Sequence, residues 1–183
     1  MKERKEKNTG VVRSAKDCAY IAVFIALLLG TQLMLSAIKG VELVTVLFVA
    51  FAYCFGWKRA ILGATGFSLL RQFLFGFFPS VLILYLIYYN LLALVFGLLG
   101  KRERKLWLVC LIACVCTVCF FLLDCVITPV WYGYPAEGFR VYFFSSLPVM
   151  AVHTVCAGVT TALLFPPLKR GFAFVEKEGN HSP

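Results

Sequence analysis

The sequence predicts an all-α integral membrane protein, a compact bundle of six transmembrane helices with N-in/C-in topology. Three observations carry that expectation. Hydrophobic residues make up 61% of the 183 residues and charged residues only 15%, against about 45–50% and about 25% in a soluble domain. The apolar residues fall into six runs, most of them near the roughly 20 residues that a helix needs to cross a bilayer. Lys and Arg gather in the segments between alternate runs.

The first run covers 17–38. A basic tail precedes it, as in a signal peptide, but the run is too long for a signal h-region. Leu35-Ser36-Ala37 is also a poor cleavage site, so a retained helix is expected. The second run, 41–56, is short and borrows a turn from Ile38 onward. The third, 60–78, is closed by Pro79, which disfavours helical backbone in the residue before it. The fourth spans 80–100, the fifth 106–131 and the sixth 141–165, with Pro166-Pro167 expected to stop the sixth. There is no internal repeat. The chain therefore divides into a basic cytoplasmic tail (1–16), a six-helix transmembrane domain (17–168) and a cytoplasmic C-terminal tail (169–183).

Orientation follows from the cations. The tail holds Lys2, Arg4, Lys5, Lys7, Arg13 and Lys16. Lys58 and Arg59 follow run two, Lys101, Arg102, Arg104 and Lys105 follow run four, and Lys169, Arg170 and Lys177 follow run six. The opposite side has only Lys39 and Arg140, while Arg71 lies inside a helix. Fifteen against two is a strong positive-inside signal. The opposite-side loops are short: one at Lys39-Gly40, one at Pro79 and one over 132–139. Trp57, Trp107, Trp131, Tyr132 and Tyr134 fall at run ends, where amphipathic rings anchor at the headgroups.

Several function classes drop out. The formal net charge is +9, but the charges are divided among loops rather than gathered on the single face that nucleic acid requires. Of the eight cysteines, Cys110, Cys114, Cys116, Cys119, Cys125 and Cys156 lie inside apolar runs and Cys54 closes another, so they read as small apolar filler. Cys116 and Cys119 form a CxxC without the second pair a zinc site needs. No P-loop, HExxH or GxSxG occurs, and His153 and His181 are the only histidines. No enzyme activity, metal or cofactor is expected.

What remains is a small polar set inside the apolar runs, where polar groups are expensive. Gln32 is in run one, Glu42 opens run two, and Arg71 and Gln72 lie past the midpoint of run three. Asn90 and His153 are near mid-depth in runs four and six, and Asp124 is in the outer third of run five. The set is biased to the outer half, which fits a pocket open outward better than a path across the bilayer. The alternative is that Arg71 and Asp124 pair and only bridge helices. Tyr85, Tyr88, Tyr89, Trp131, Tyr132 and Tyr134 add flat rings near the same level, the usual furnishing of a small-molecule pocket. In the inner half of run one, Ala22 and Ala26 form an AxxxA, where small residues four apart let another helix approach closely.

Together these features resemble the substrate-binding S component of energy-coupling factor (ECF) transporters, the bacterial vitamin-uptake family, over nearly the whole chain. Length, six helices and N-in topology match, and Ala22 and Ala26 match the AxxxA by which S components contact the T component. Gly40-Val41-Glu42-Leu43-Val44-Thr45 leading to Phe55-Gly56-Trp57-Lys58 resembles a common form of helix two in that family. Leu147-Pro148 to His153 and Leu164-Phe165-Pro166-Pro167-Leu168 do likewise. The resemblance implies a subunit of the bacterial plasma membrane that captures a vitamin or related micronutrient at its outer face. It would work with a membrane T component and two cytoplasmic ATPases whose ATP cycle topples it inward. On this reading Arg71 meets an acidic group of the ligand, Asp124 meets a polar or cationic one, and Trp131 and Tyr132 cover a ring. The rival is a non-transporting assembly protein of the MreD-like kind, with partners but no small ligand. A lipid-modifying enzyme is the third class, and it would need its catalytic groups nearer the headgroups.

Overall fold

The computed structural model describes residues 15–36, 43–100 and 105–181, all of it helical apart from short junctions. Six helices follow in order: α1 (Ala15–Leu35), α2 (Val44–Phe55), α3 (Trp57–Phe75), α4 (Pro79–Leu99), α5 (Leu106–Tyr132) and α6 (Ala136–His181). Helix is what lipid demands, because a helix satisfies its backbone N–H and C=O groups within one segment. Four helices, α1, α4, α5 and α6, are long and apolar enough to cross a membrane. The chain is a multi-pass helical membrane protein by helix length and hydropathy.

The other two helices depart from the expected pattern. The helix of run two is only 12 residues, about 18 Å at 1.5 Å per residue, short of the roughly 30 Å of a hydrocarbon core. Its character is central rather than lipid-facing: every residue of α2 except Cys54 is buried, packed among α1, α3, α4 and α6. The third helix, α3, starts earlier than expected, at Trp57, and so takes in Lys58 and Arg59 besides Arg71.

Junction chemistry explains the tight connections. Gly56 alone separates α2 from α3, at φ 80° and ψ 165°, backbone that a side chain disfavours. Pro79 opens α4 at its first turn, where the missing N–H costs nothing. The expected loop over 132–139 is instead a three-residue turn. Gly133 caps α5 in the left-handed region, the Tyr134 N–H donates to the Pro129 carbonyl at 2.9 Å, and the Gly133 N–H donates to Val130 at 3.4 Å. That paired bonding is a Schellman cap, and it turns α5 directly into α6.

The largest correction concerns α6. Pro166-Pro167 does not stop it: the helix runs 46 residues, through Pro148, Pro166 and Pro167. Each proline removes one intrahelical donor, but the segment beyond is held by tertiary contacts. The Phe172 ring lies 6.0 Å from Phe51 and 5.9 Å from Phe55. Phe165 meets Tyr53 edge-on at 5.2 Å, the Lys169 Nζ sits 5.1 Å over the Tyr53 ring, and the Tyr20 hydroxyl donates to the Val175 carbonyl at 3.4 Å. At about 1.5 Å per residue such a helix outruns any bilayer core, and its stretch from Phe165 to Val175 clamps across the ends of α1 and α2.

The core is aromatic. Rings contact in sequence from Tyr85 to Tyr89 (5.1 Å), Phe48 (4.7 Å), Phe24 (5.1 Å), Phe51 (3.8 Å), Phe55 (4.6 Å) and Phe172 (5.9 Å). At the end carrying the cation-rich junctions, hereafter the basic end, the Arg59 Nη2 lies 2.8 Å from the Asp17 carboxylate and joins α3 to α1. Gly97 and Gly100 let α4 press against the α2–α3 junction, where a Cβ would collide with backbone of Trp57 and Tyr53. Val115, Val126, Val130, Phe144, Val155 and Leu163 point outward from α5 and α6, a face suited to lipid. All eight cysteines are free, and Cys54 and Cys114 point their thiols at the Lys169 and Thr154 carbonyls, in keeping with an apolar-filler role.

Candidate functional site

The polar residues singled out from the sequence do not form one constellation. They form three groups, and among the described residues only one of them holds buried side-chain atoms without a hydrogen-bond partner.

That group surrounds Tyr85 at the end opposite the basic one. Arg71, one turn from the end of α3, lays its guanidinium 4.5 Å over the Tyr85 ring and 5.0 Å from the Phe75 ring. Gln32, from the last turns of α1, donates from Nε2 to the Tyr85 hydroxyl at 3.3 Å. Gln72, buried beside Arg71 in sequence, accepts the Phe78 N–H on Oε1 at 3.2 Å and so ties down the α3–α4 junction. Yet among the described residues Arg71 Nε and Nη1, Gln32 Oε1 and Gln72 Nε2 are buried with no hydrogen-bond partner. A buried unsatisfied polar group costs about 1–3 kcal/mol, and native proteins carry few. Two helices, α1 and α3, thus bring three orphan donors and one orphan acceptor to one end of the bundle, and those of Arg71 and Gln32 belong to side chains that meet Tyr85 of α4. The donor excess and the fixed positive charge are complementary to an anionic or acceptor group.

The second group is self-satisfied. Asp124 on α5 accepts the Thr128 hydroxyl on Oδ1 and the Tyr142 hydroxyl on Oδ2, both at 2.7 Å, so it joins α5 to α6 near their turn. Arg71 and Asp124 are therefore not partners of each other, and the helix-bridging pair is replaced by a hydroxyl-bound carboxylate. Thr128 was legible as the residue four positions on from Asp124, one helical turn away. Tyr142 carries no such sequence signal.

The third group lies at mid-depth. Asn90 donates from Nδ2 to the Leu86 carbonyl at 2.7 Å and accepts the Thr65 hydroxyl on Oδ1 at 3.3 Å, joining α4 to α3. His153 on α6 packs its ring 5.3 Å from Phe121 on α5. Trp131 and Tyr132 are about half exposed at the turn, with Tyr132 6.3 Å from Tyr134. Glu42 lies outside the described residues. Ala22 and Ala26 are both exposed on α1, so that face is open to a partner helix.

Compared with known protein families, curated proteins and solved structures, the chain matches none.

Proposed function

We propose that the chain is a substrate-capture subunit, an S component of an ECF-type importer, binding a vitamin-like micronutrient beside Arg71 in the bacterial plasma membrane. The carrying observation is that Arg71 and Gln32, which meet at Tyr85, keep buried Nε, Nη1 and Oε1 atoms without a hydrogen-bond partner among the described residues. Self-contained helix glue would use those atoms, as Asp124 does with Thr128 and Tyr142. A carboxylate would satisfy the Arg71 donors bidentately, and an N–H or O–H beside it would satisfy Gln32 Oε1.

The charge distribution supports N-in/C-in topology, with the basic end in the cytoplasm and the Arg71 group facing outward. Release inward then requires energy from other subunits, a T component docking on the Ala22–Ala26 face and two cytoplasmic ATPases. The test is mass spectrometry of small molecules that co-purify with the protein in mild detergent. A stoichiometric carboxylate-bearing compound, lost in Arg71→Ala, is the expected result. A chain that purifies empty from rich medium, without ATPase subunits, overturns the reading in favour of an assembly protein.

A further inference from the structure

A groove of about 420 Å³ opens at the basic end between the start of α5 and the late part of α6, lined by Leu106, Phe165, Pro166, Lys169, Arg170 and Ala173. Four of those residues are apolar and the other two are cations. Arg170 is exposed, and Lys169 is half-buried, with its ammonium over the Tyr53 ring. The groove is far from the Arg71 group along the chain of aromatic rings, and the capture role makes no use of it.

Its level in the membrane follows from α5. That helix is long and apolar enough to span, and it begins at Leu106, directly after the exposed cation Lys105. Trp107 is 63% exposed at the same turn, the position at which indole rings anchor at the headgroups. A groove lined by Leu106 therefore lies where lipid phosphate meets acyl chain. Its walls suit both halves of such a molecule, because Lys169 and Arg170 present donors to a phosphate while Leu106, Phe165, Pro166 and Ala173 present apolar surface to the first carbons of a chain. Basic pockets between helices on the cytoplasmic side are a recurring form of anionic-lipid recognition.

From this we infer a binding site for an anionic phospholipid, of the phosphatidylglycerol type, held by Lys169 and Arg170 at the foot of α6. The lipid would brace the segment beyond Pro166-Pro167 against α5. Such a lipid site is independent of any transport role.

The full chain, purified in nonionic detergent, is titrated with dioleoylphosphatidylglycerol or dioleoylphosphatidylcholine, and bound lipid is counted by native mass spectrometry. Phosphatidylglycerol should be retained in preference. Arg170→Gln, at an exposed position, should cut that preference about five-fold, and Lys169→Gln with Arg170→Gln about 25-fold, from about 1 kcal/mol per cation near the surface. Lys177→Gln, outside the groove, should leave it intact. Equal retention of the two lipids, an unchanged preference in Arg170→Gln, or an equal loss in Lys177→Gln (diffuse attraction) would each overturn the site. Displacement of the lipid by excess inorganic phosphate would overturn it too, in favour of a free-anion site.

Discussion

Replacing Gly100 by alanine tests the close seating of α4 against the α2–α3 junction. Gly100 has ordinary helical backbone, φ −63° and ψ −18°, so alanine meets no conformational strain there. Space is what opposes it. A Cβ would press into the Tyr53 carbonyl oxygen and lie 2.8 Å from its carbon and 2.9 Å from Tyr53 Cα. Ordinary contact begins at 3.4 Å, so backbone must retreat from backbone by more than half an ångström, with no flexible side chain to absorb the change. Overpacking of this kind costs about 1–3 kcal/mol, and the smaller chain entropy that alanine loses on folding returns up to about 1. With the clash at the upper end, the net loss is about 2 kcal/mol, or roughly 4–8 °C in melting temperature for a chain of this length. Gly97→Ala, pressing on the Trp57 backbone, should behave alike. Gly30→Ala and Gly171→Ala meet nothing within 4 Å and should be neutral or slightly stabilising. Thermal unfolding in detergent compares the four. If Gly100→Ala melts with the controls, the proposed close approach is wrong.

Arg71→Met should leave the melting temperature of ligand-free protein unchanged or raise it. It loses cation–π contacts of about 0.5–2 kcal/mol but removes buried orphan donors that cost about 1–3 kcal/mol each. The same variant should lose any ligand-induced stabilisation, read by the same melt with and without the co-purified compound. Asp124→Asn and Tyr142→Phe should each lower stability by about 1 kcal/mol, the worth of one hydrogen bond between part-buried groups. The double variant should lose less than the sum, giving a coupling energy by double-mutant cycle, while ligand affinity stays constant. Asp17→Ala should cost roughly 1–3 kcal/mol. That is below the 3–5 of a fully buried pair, because the Arg59 side chain keeps 24% of its exposure. Adding Arg59→Leu should recover part of the loss in chemical denaturation.

The helices were legible because lipid imposes one strong rule: long apolar runs become helices whose ends sit at charge and at Gly or Pro. Pro79 and Gly133 mark their junctions as local chemistry predicts. The misread places are those where tertiary contacts overrule local signals. Pro166-Pro167 looks like a stop, but Phe172 and Val175 find partners on α2 and α1 that hold the helix past it. Hydropathy does not distinguish a central helix from a lipid-facing one, so the burial of α2 on all sides was invisible. The site was half legible. Gln32, Arg71 and Gln72 were singled out by polarity in an apolar setting, and Tyr85 as a nearby ring. Polarity alone did not show that Asp124 and Asn90 are satisfied locally, because that depends on the register of α5 on α6 and of α3 on α4. The role of Gly97 and Gly100 is absent from the sequence for the same reason: it exists only against a neighbouring backbone.

The row of rings from Tyr85 to Phe172 acts as a strut. Its members stand 3.8 to 5.9 Å apart, centre to centre, and a packed interior has little slack to absorb a push. A ring shoved at one end either flips to another rotamer or hands its displacement to the next. The guanidinium of Arg71 rests on the first ring of this strut, and the foot of α6 rests on the last. Load applied at one end of the molecule thus has a continuous packed route to the other, and amide exchange around Phe172 is the gauge that shows whether it arrives.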